Sequence, residues 1–169
     1  MRKTRFVLAL LCAMAVCFGF AGCSSDDDDD DDSSSTVSTW KSNDDEYETV
    51  YFYNDNTFVV HEKGSHYYSE YGFTLYLDFD DTAGTWSGSF SSGSTVSLTV
   101  TKSTSEEEAI EVMKSKINAA VAAGKTSCTL TNSDFPLEAV SETKTLSATI
   151  SGSTATVTVD SKTKTWTLQ

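Results

Sequence analysis

Residues 48–62 read Glu-Thr-Val-Tyr-Phe-Tyr-Asn-Asp-Asn-Thr-Phe-Val-Val-His-Glu, and their spacing decides the fold class. Two runs of β-branched and aromatic residues, types that suit a pleated surface, flank Asn54-Asp55-Asn56. A three-residue loop sets Phe52 opposite Phe58 and Val50 opposite Val60, building one continuous apolar face. A two-residue loop sets Phe52 against Thr57 and loses that face. A one-residue slip turns every side chain to the other side of the sheet, so the apolar pattern selects the longer loop. Asparagine tolerates the left-handed backbone such a loop requires.

The same alternation continues along the chain. From Gly72 to Asp80, Phe73, Leu75, Leu77 and Phe79 share one face, with Thr74, Tyr76, Asp78 and Asp80 on the other. Trp86, Gly88 and Phe90 are expected opposite Val96, Leu98 and Val100 across a Ser/Gly turn. Leu146, Ala148 and Ile150 face Val159, Val157 and Ala155 if Gly152-Ser153 forms a type II′ turn, which wants glycine first. Val157 is then expected opposite Trp166, with Ser161-Lys162 as the last loop.

One segment breaks the period of two. Over 105–123, Ile110, Met113, Ile117 and Val121 recur at helical spacing, and Ser105 with Glu108 forms a capping-box pattern. Gly124 is a natural stop. The reading is therefore mainly β: nine or ten short strands in an antiparallel meander, closed as a barrel or folded as a β-sandwich, with one inserted helix.

The N-terminal part reads as an address. Arg2, Lys3 and Arg5 precede an uncharged apolar run from Phe6 to Phe20, which is a signal peptide pattern over residues 1–22. The run ends Phe20-Ala21-Gly22-Cys23, which resembles the bacterial lipobox. That resemblance implies cleavage before Cys23 and fatty acylation of its thiol. One acyl chain binds a membrane only marginally, whereas two or three hold firmly. Residues 23–36 include the unbroken run Asp26–Asp32, which repels itself and cannot offset chain entropy by burial, so a disordered tether is expected. The tether reads as a solvated spacer, as a weak calcium binder, or as a sorting element, since Cys-Ser-Ser-Asp-Asp-Asp resembles the acidic export signal of bacterial surface lipoproteins. Residues 37–169 form the single β-rich domain, and the expected location is the cell envelope, on an outer membrane, facing the periplasm or the exterior.

The chain has 169 residues, with 12 basic against 25 acidic side chains and a net charge of −13. That balance excludes nucleic acid, which selects basic faces, and electrostatic adhesion to anionic lipid. Trp40 near the domain start, followed by the Phe52 hairpin with Asn56-Thr57-Phe58, is similar to the small lipocalin-like domains of bacterial lipoproteins. The resemblance implies a barrel that holds an apolar or amphipathic ligand.

Candidate chemistry is sparse. His61 and His66 are the only histidines. They face each other, as weak zinc candidates, only if Lys63-Gly64 is a hairpin loop, and two ligands are fewer than zinc needs. Asp78, Asp80 and Asp81 are expected on a solvated face, with Asp81 opening a turn that includes Gly84, and with ordinary ionisation. Cys128 alternates with Leu130 and reads as a small core residue or, alternatively, a reactive thiol. No nucleophile elbow, metalloprotease motif or phosphate loop occurs. All seven tyrosines, Tyr47, Tyr51, Tyr53, Tyr67, Tyr68, Tyr71 and Tyr76, fall in one stretch. Either tyrosine simply suits strands, or these residues line a binding surface, since the ring offers flat apolar area with a polar tip. The expectation is a monomeric, non-catalytic binding module without a cofactor, taking a small ligand or a protein or glycan partner. The alternatives are a structural or adhesive surface protein without a pocket, and a hydrolase built on convergent buried acids.

Overall fold

The computed structural model describes residues 35–159 and 162–169. The expected signal peptide, Cys23 and the aspartate run lie outside the described residues. Nine strands and one helix are formed among those described: β1 Thr36–Ser42, β2 Glu48–Tyr53, β3 Thr57–Tyr68, β4 Phe73–Gly88, β5 Thr95–Ser103, α1 Glu106–Ala122, β6 Ser127–Thr131, β7 Glu138–Ser151, β8 Thr154–Val159 and β9 Lys162–Leu168. No described helix is long and apolar enough to cross a membrane.

The strand order is β3-β2-β1-β9-β8-β7-β5-β4, and β3 also pairs with β4, so eight antiparallel strands close into a barrel. Closure leaves none of the eight as an open sheet edge along its barrel portion. The ninth strand, β6, runs parallel to β4, from Thr74↔Ser127 to Asp78↔Thr131. The barrel reading of the alternation therefore holds, and the sandwich does not.

The deciding hairpin has the expected register, with Phe52 opposite Phe58 and Val50 opposite Val60. Asn56 carries the left-handed backbone of its loop at φ 66°. Gly152 has φ 58° and sets Ile150 opposite Ala155 and Ala148 opposite Val157, as expected for its turn. Trp86 lies opposite Leu98 and Gly88 opposite Val96, while Phe90 lies past the end of β4 and packs on the core from there. The last hairpin differs: Trp166 lies opposite Ala155, and Val157 opposite Lys164. This slip of two residues keeps every side chain on its expected face, so apolar patterning does not distinguish the two registers. Val159 pairs with Lys162, so Lys162 belongs to β9 and not to the loop, and residues 160 and 161 lie outside the described residues.

The barrel interior is solid. Trp40, Phe52, Phe58, Val96, Ile150, Val157 and Trp166 fill it, with Phe90 and Trp86 packed alongside. Trp40 and Phe52 are fully buried, their ring centroids 4.4 Å apart. No tyrosine belongs to this core, and Cys128 packs elsewhere.

A second core lies outside the barrel. Leu75, Leu77 and Phe79 point inward as expected, but they meet Ala109, Met113, Leu130 and Phe135, not the barrel interior. The apolar faces of the strands and helix thus build two nuclei, one inside the barrel and one between β4, β6 and α1. On α1 the buried face is Ala109, Met113 and Ala120, with Val112 and Ile117 partly covered, and Val121 is exposed. Ser105 takes the N-cap position, but its hydroxyl makes no capping bond, so the capping box is not formed through serine. The C-terminus closes with Gly124 at φ 71°, its N–H donating to Val121 O and that of Lys125 to Ala120 O. Those two bonds satisfy carbonyls that the helix end would otherwise leave open.

Candidate functional site

Beyond the barrel, β3 and β4 continue as an arm, paired from His61↔Asp80 to Tyr68↔Phe73. β3 is one 12-residue strand, so Lys63-Gly64 is not a hairpin loop. His61 lies opposite Asp80 and His66 opposite Leu75, and strand alternation sends the two imidazoles to opposite faces. The weak zinc pairing is therefore absent, and no metal-ligand cluster occurs among the described residues.

β4 likewise runs unbroken through Gly88, so there is no turn from Asp81 to Gly84. Gly84 is there for space: a Cβ would overlap the Thr99 carbonyl oxygen and lie 2.9 Å from the Phe58 ring. Asp81 is instead the extra residue of a bulge, because Val60 pairs with Thr82 and His61 with Asp80. Bulges bend the strand and re-aim side chains, and this one stands at the arm's root.

The outer face of the arm is polar and aromatic. The half-buried His61 makes a 2.7 Å bond from Nδ1 to Asp80 and a 3.1 Å bond from Nε2 to Asp78. Both nitrogens can donate only in the imidazolium. The hydrogen bond to Asp80 holds the His61 pKa above its ordinary value, against the opposing effect of burial. Lys63 Nζ lies 3.2 Å from Asp78, in an exposed pair that contributes little to stability. Asn132 accepts from the Asp80 backbone N–H at 2.6 Å and donates to its carboxylate at 3.1 Å, tying β4 to the loop after β6.

The five tyrosines on strands divide by strand parity, and Tyr47 and Tyr71 lie in the turns between strands. Tyr51 and Tyr53 project from β2 opposite to the buried Val50 and Phe52, and the Tyr51 ring meets His61 edge-on. Burial, then the Asp80 charge, raises the Tyr53 hydroxyl pKa. Tyr67 and Tyr76 are exposed on the outer face of the arm, and Tyr71 is exposed at its tip. A shallow depression of about 340 Å³ lies among Lys63, Ser65, Tyr76, Asp78 and Thr129. Tyr47 and Tyr68 have structural positions, packed against the second core. Tyr47 lies over Gly64, where a Cβ would overlap its ring, and its hydroxyl donates to Ser65 O at 3.0 Å.

Beneath the same root, facing inward, is a set of charged groups the sequence reading did not find. Glu48, 7% exposed, accepts from Lys164 Nζ at 2.6 Å and from the Trp166 indole N–H at 2.8 Å. Glu62 lies directly across the ladder from Glu48. Burial, then the charges of Asp45, Glu48 and Asp81, pushes the Glu62 carboxyl up to about 8, with Lys164 opposing. Burial also raises the Asp81 carboxyl, so ordinary ionisation does not hold there. A signal for this cluster was present in the sequence. Glu48 and Glu62 are in phase with Val50, Phe52, Phe58 and Val60, and that parity sends them inward. The chain matches no protein-family model, and no curated protein or solved structure is similar to it at a significant level.

Proposed function

We propose that this chain is a lipid-anchored, non-catalytic binding module of the cell envelope. In this reading Cys23 holds the membrane, the aspartate run lifts the barrel away, and the outer face of β2, β3, β4 and β6 engages a protein or glycan partner. One observation carries the reading: Tyr51, Tyr53, Tyr67 and Tyr76 share a face with His61, Lys63, Asp78 and Asp80, whereas the interior is filled by the chain's own aromatic rings. Tyrosine pairs a flat apolar surface with a polar tip at little cost in side-chain entropy, which favours contact surfaces.

The test is binding of the full-length chain to glycan arrays and to purified envelope proteins. A specific partner whose affinity falls at least about tenfold in Tyr67→Ala/Tyr76→Ala, with thermal stability unchanged, supports the reading. A partner unaffected by that double substitution refutes the assigned face. The alternative of an adhesive or structural surface protein draws on the same filled interior, and it predicts attachment without a saturable partner. A hydrolase draws on the convergence of Glu48, Glu62 and Asp81, but both Glu48 oxygens are already engaged. Turnover of any substrate that Glu62→Gln abolishes would favour it.

A further inference from the structure

We propose that the root of the β3–β4 arm is a proton-operated clamp, in which His61 and Glu62, adjacent in sequence and facing opposite sides of the sheet, keep that root closed while protonated and loosen it as pH rises. The geometry supplies the weak point. The bulge at Asp81 interrupts the ladder where barrel gives way to arm, and both charged clusters sit at that interruption.

On the outer side, His61 is flanked by Asp78 and Asp80 from β4, with Tyr51 from β2 at its edge and Lys63 held by Asp78. Protonated, the ring bonds both carboxylates, and with Lys63 the set is electrically balanced. Deprotonated, it keeps one N–H and turns a lone pair towards the other carboxylate, leaving the set one charge negative. On the inner side, Glu62 faces Glu48 from β2, Asp81 from β4, Asp45 from the β1–β2 loop and Lys164 from β9. Lys164 is the one cation in that group, and its ammonium is already bonded to Glu48. Ionising Glu62 therefore places a second carboxylate against Glu48 with no cation to match it. Like charges brought together in a half-buried site repel strongly because water screens them poorly. The two deprotonations act in the same direction on the same hinge, one from each face.

Lys63 N–H to Tyr47 O and the Tyr47 hydroxyl to Ser65 O then remain along the β3 edge, with the Asn132 bonds on β4. The loosening is confined to the arm because the Trp40–Phe52 core lies beyond the bulge and holds no titrating group.

The experiment is amide hydrogen exchange on the full-length chain at pH 6 and pH 9, corrected for the intrinsic change in exchange rate. Peptides covering 61–80 should lose protection by at least about tenfold relative to peptides covering β5 and β8, and Glu62→Gln should remove most of that loss. An unchanged arm-to-barrel ratio, or a Glu62→Gln chain that loosens like the parent, overturns the proposal. Should Glu62→Gln not fold, carboxyl ¹³C titration of the unsubstituted chain decides: a Glu62 midpoint near 8 supports the clamp, and one near 4.5 overturns it.

Discussion

Substituting Gly64 should change the sign of its effect according to what stands at position 47. A Cβ on Gly64 would overlap Tyr47 Cδ1 and Cε1 and lie 3.0 Å from Cγ, so Gly64→Ala forces the ring aside. Overpacking of this kind costs about 1–3 kcal/mol. The backbone at Gly64 is ordinary strand without positive φ, so alanine there also restricts the unfolded chain, a gain of about 0.4–1 kcal/mol. The net for Gly64→Ala is then about 1–2 kcal/mol of destabilisation. Tyr47→Ala alone gives up a half-buried ring and the hydroxyl bond to Ser65, a loss of about 2 kcal/mol. In the Tyr47→Ala background the obstruction is gone and only the unfolded-state gain remains, so adding Gly64→Ala should stabilise by up to about 1 kcal/mol. Urea unfolding of the four chains reads the cycle directly, with a coupling of roughly 2 kcal/mol expected. Gly64→Ala destabilising equally in both backgrounds would refute the packing of Tyr47 over Gly64, and with it the assignment of Tyr47 to structure.

Phe52→Ala should cost about 3–5 kcal/mol, as for other fully buried aromatics, and lower the urea midpoint without altering its slope. Asn56→Val should cost about 1–2 kcal/mol by forcing a β-branched residue into the left-handed region, whereas Asn56→Gly should stay within a few tenths. Stability should fall as pH rises from about 4.5 to 8, because a carboxyl whose folded pKa is raised from 4.5 to about 8 favours the folded state while protonated and penalises it once ionised. His61 acts with the same sign: its stabilisation is full below 6.5 and is lost as pH rises through its raised folded value. Glu62 alone sets an upper bound of about 5 kcal/mol on its part of the decline, and Glu62→Gln should flatten it in pH-resolved urea curves.

Much of the barrel was legible because its loops leave little choice. An odd loop at Asn54–Asn56 aligned Phe52 with Phe58, and glycine at 152 suited one turn type. The last hairpin was not legible, since two registers differing by two residues bury the same side chains. β3 and β4 were read too short for another reason. Gly64 and Gly84 look like turn residues in sequence, yet one makes room for the Tyr47 ring and the other for the Thr99 carbonyl and the Phe58 ring. The second core was hidden because Phe73–Phe79 alternates identically whichever apolar partner it meets, and that partner is a helix some 30 residues further on. Of the candidate residues, the tyrosines were found by type but not sorted, since parity separates Tyr51 from Phe52 but says nothing of Tyr47 lying over Gly64. The inward acids Glu48 and Glu62 were not found, although their parity with Val50 and Val60 points them inward. Charged residues are rarely buried unless paired, and the partner that buries Glu48 is 116 positions away at Lys164.

The barrel is filled by its own side chains, and the proposed binding face is its outer one. Native mass spectrometry of the full-length chain with an excess of a medium-chain fatty acid separates a filled barrel from one that takes a ligand inside. A filled barrel gives the unliganded mass alone. A one-to-one complex that Phe52→Ala or Ile150→Ala alters, while Tyr67→Ala/Tyr76→Ala leaves it intact, would place the ligand among Trp40, Phe52 and Trp166 and contradict it.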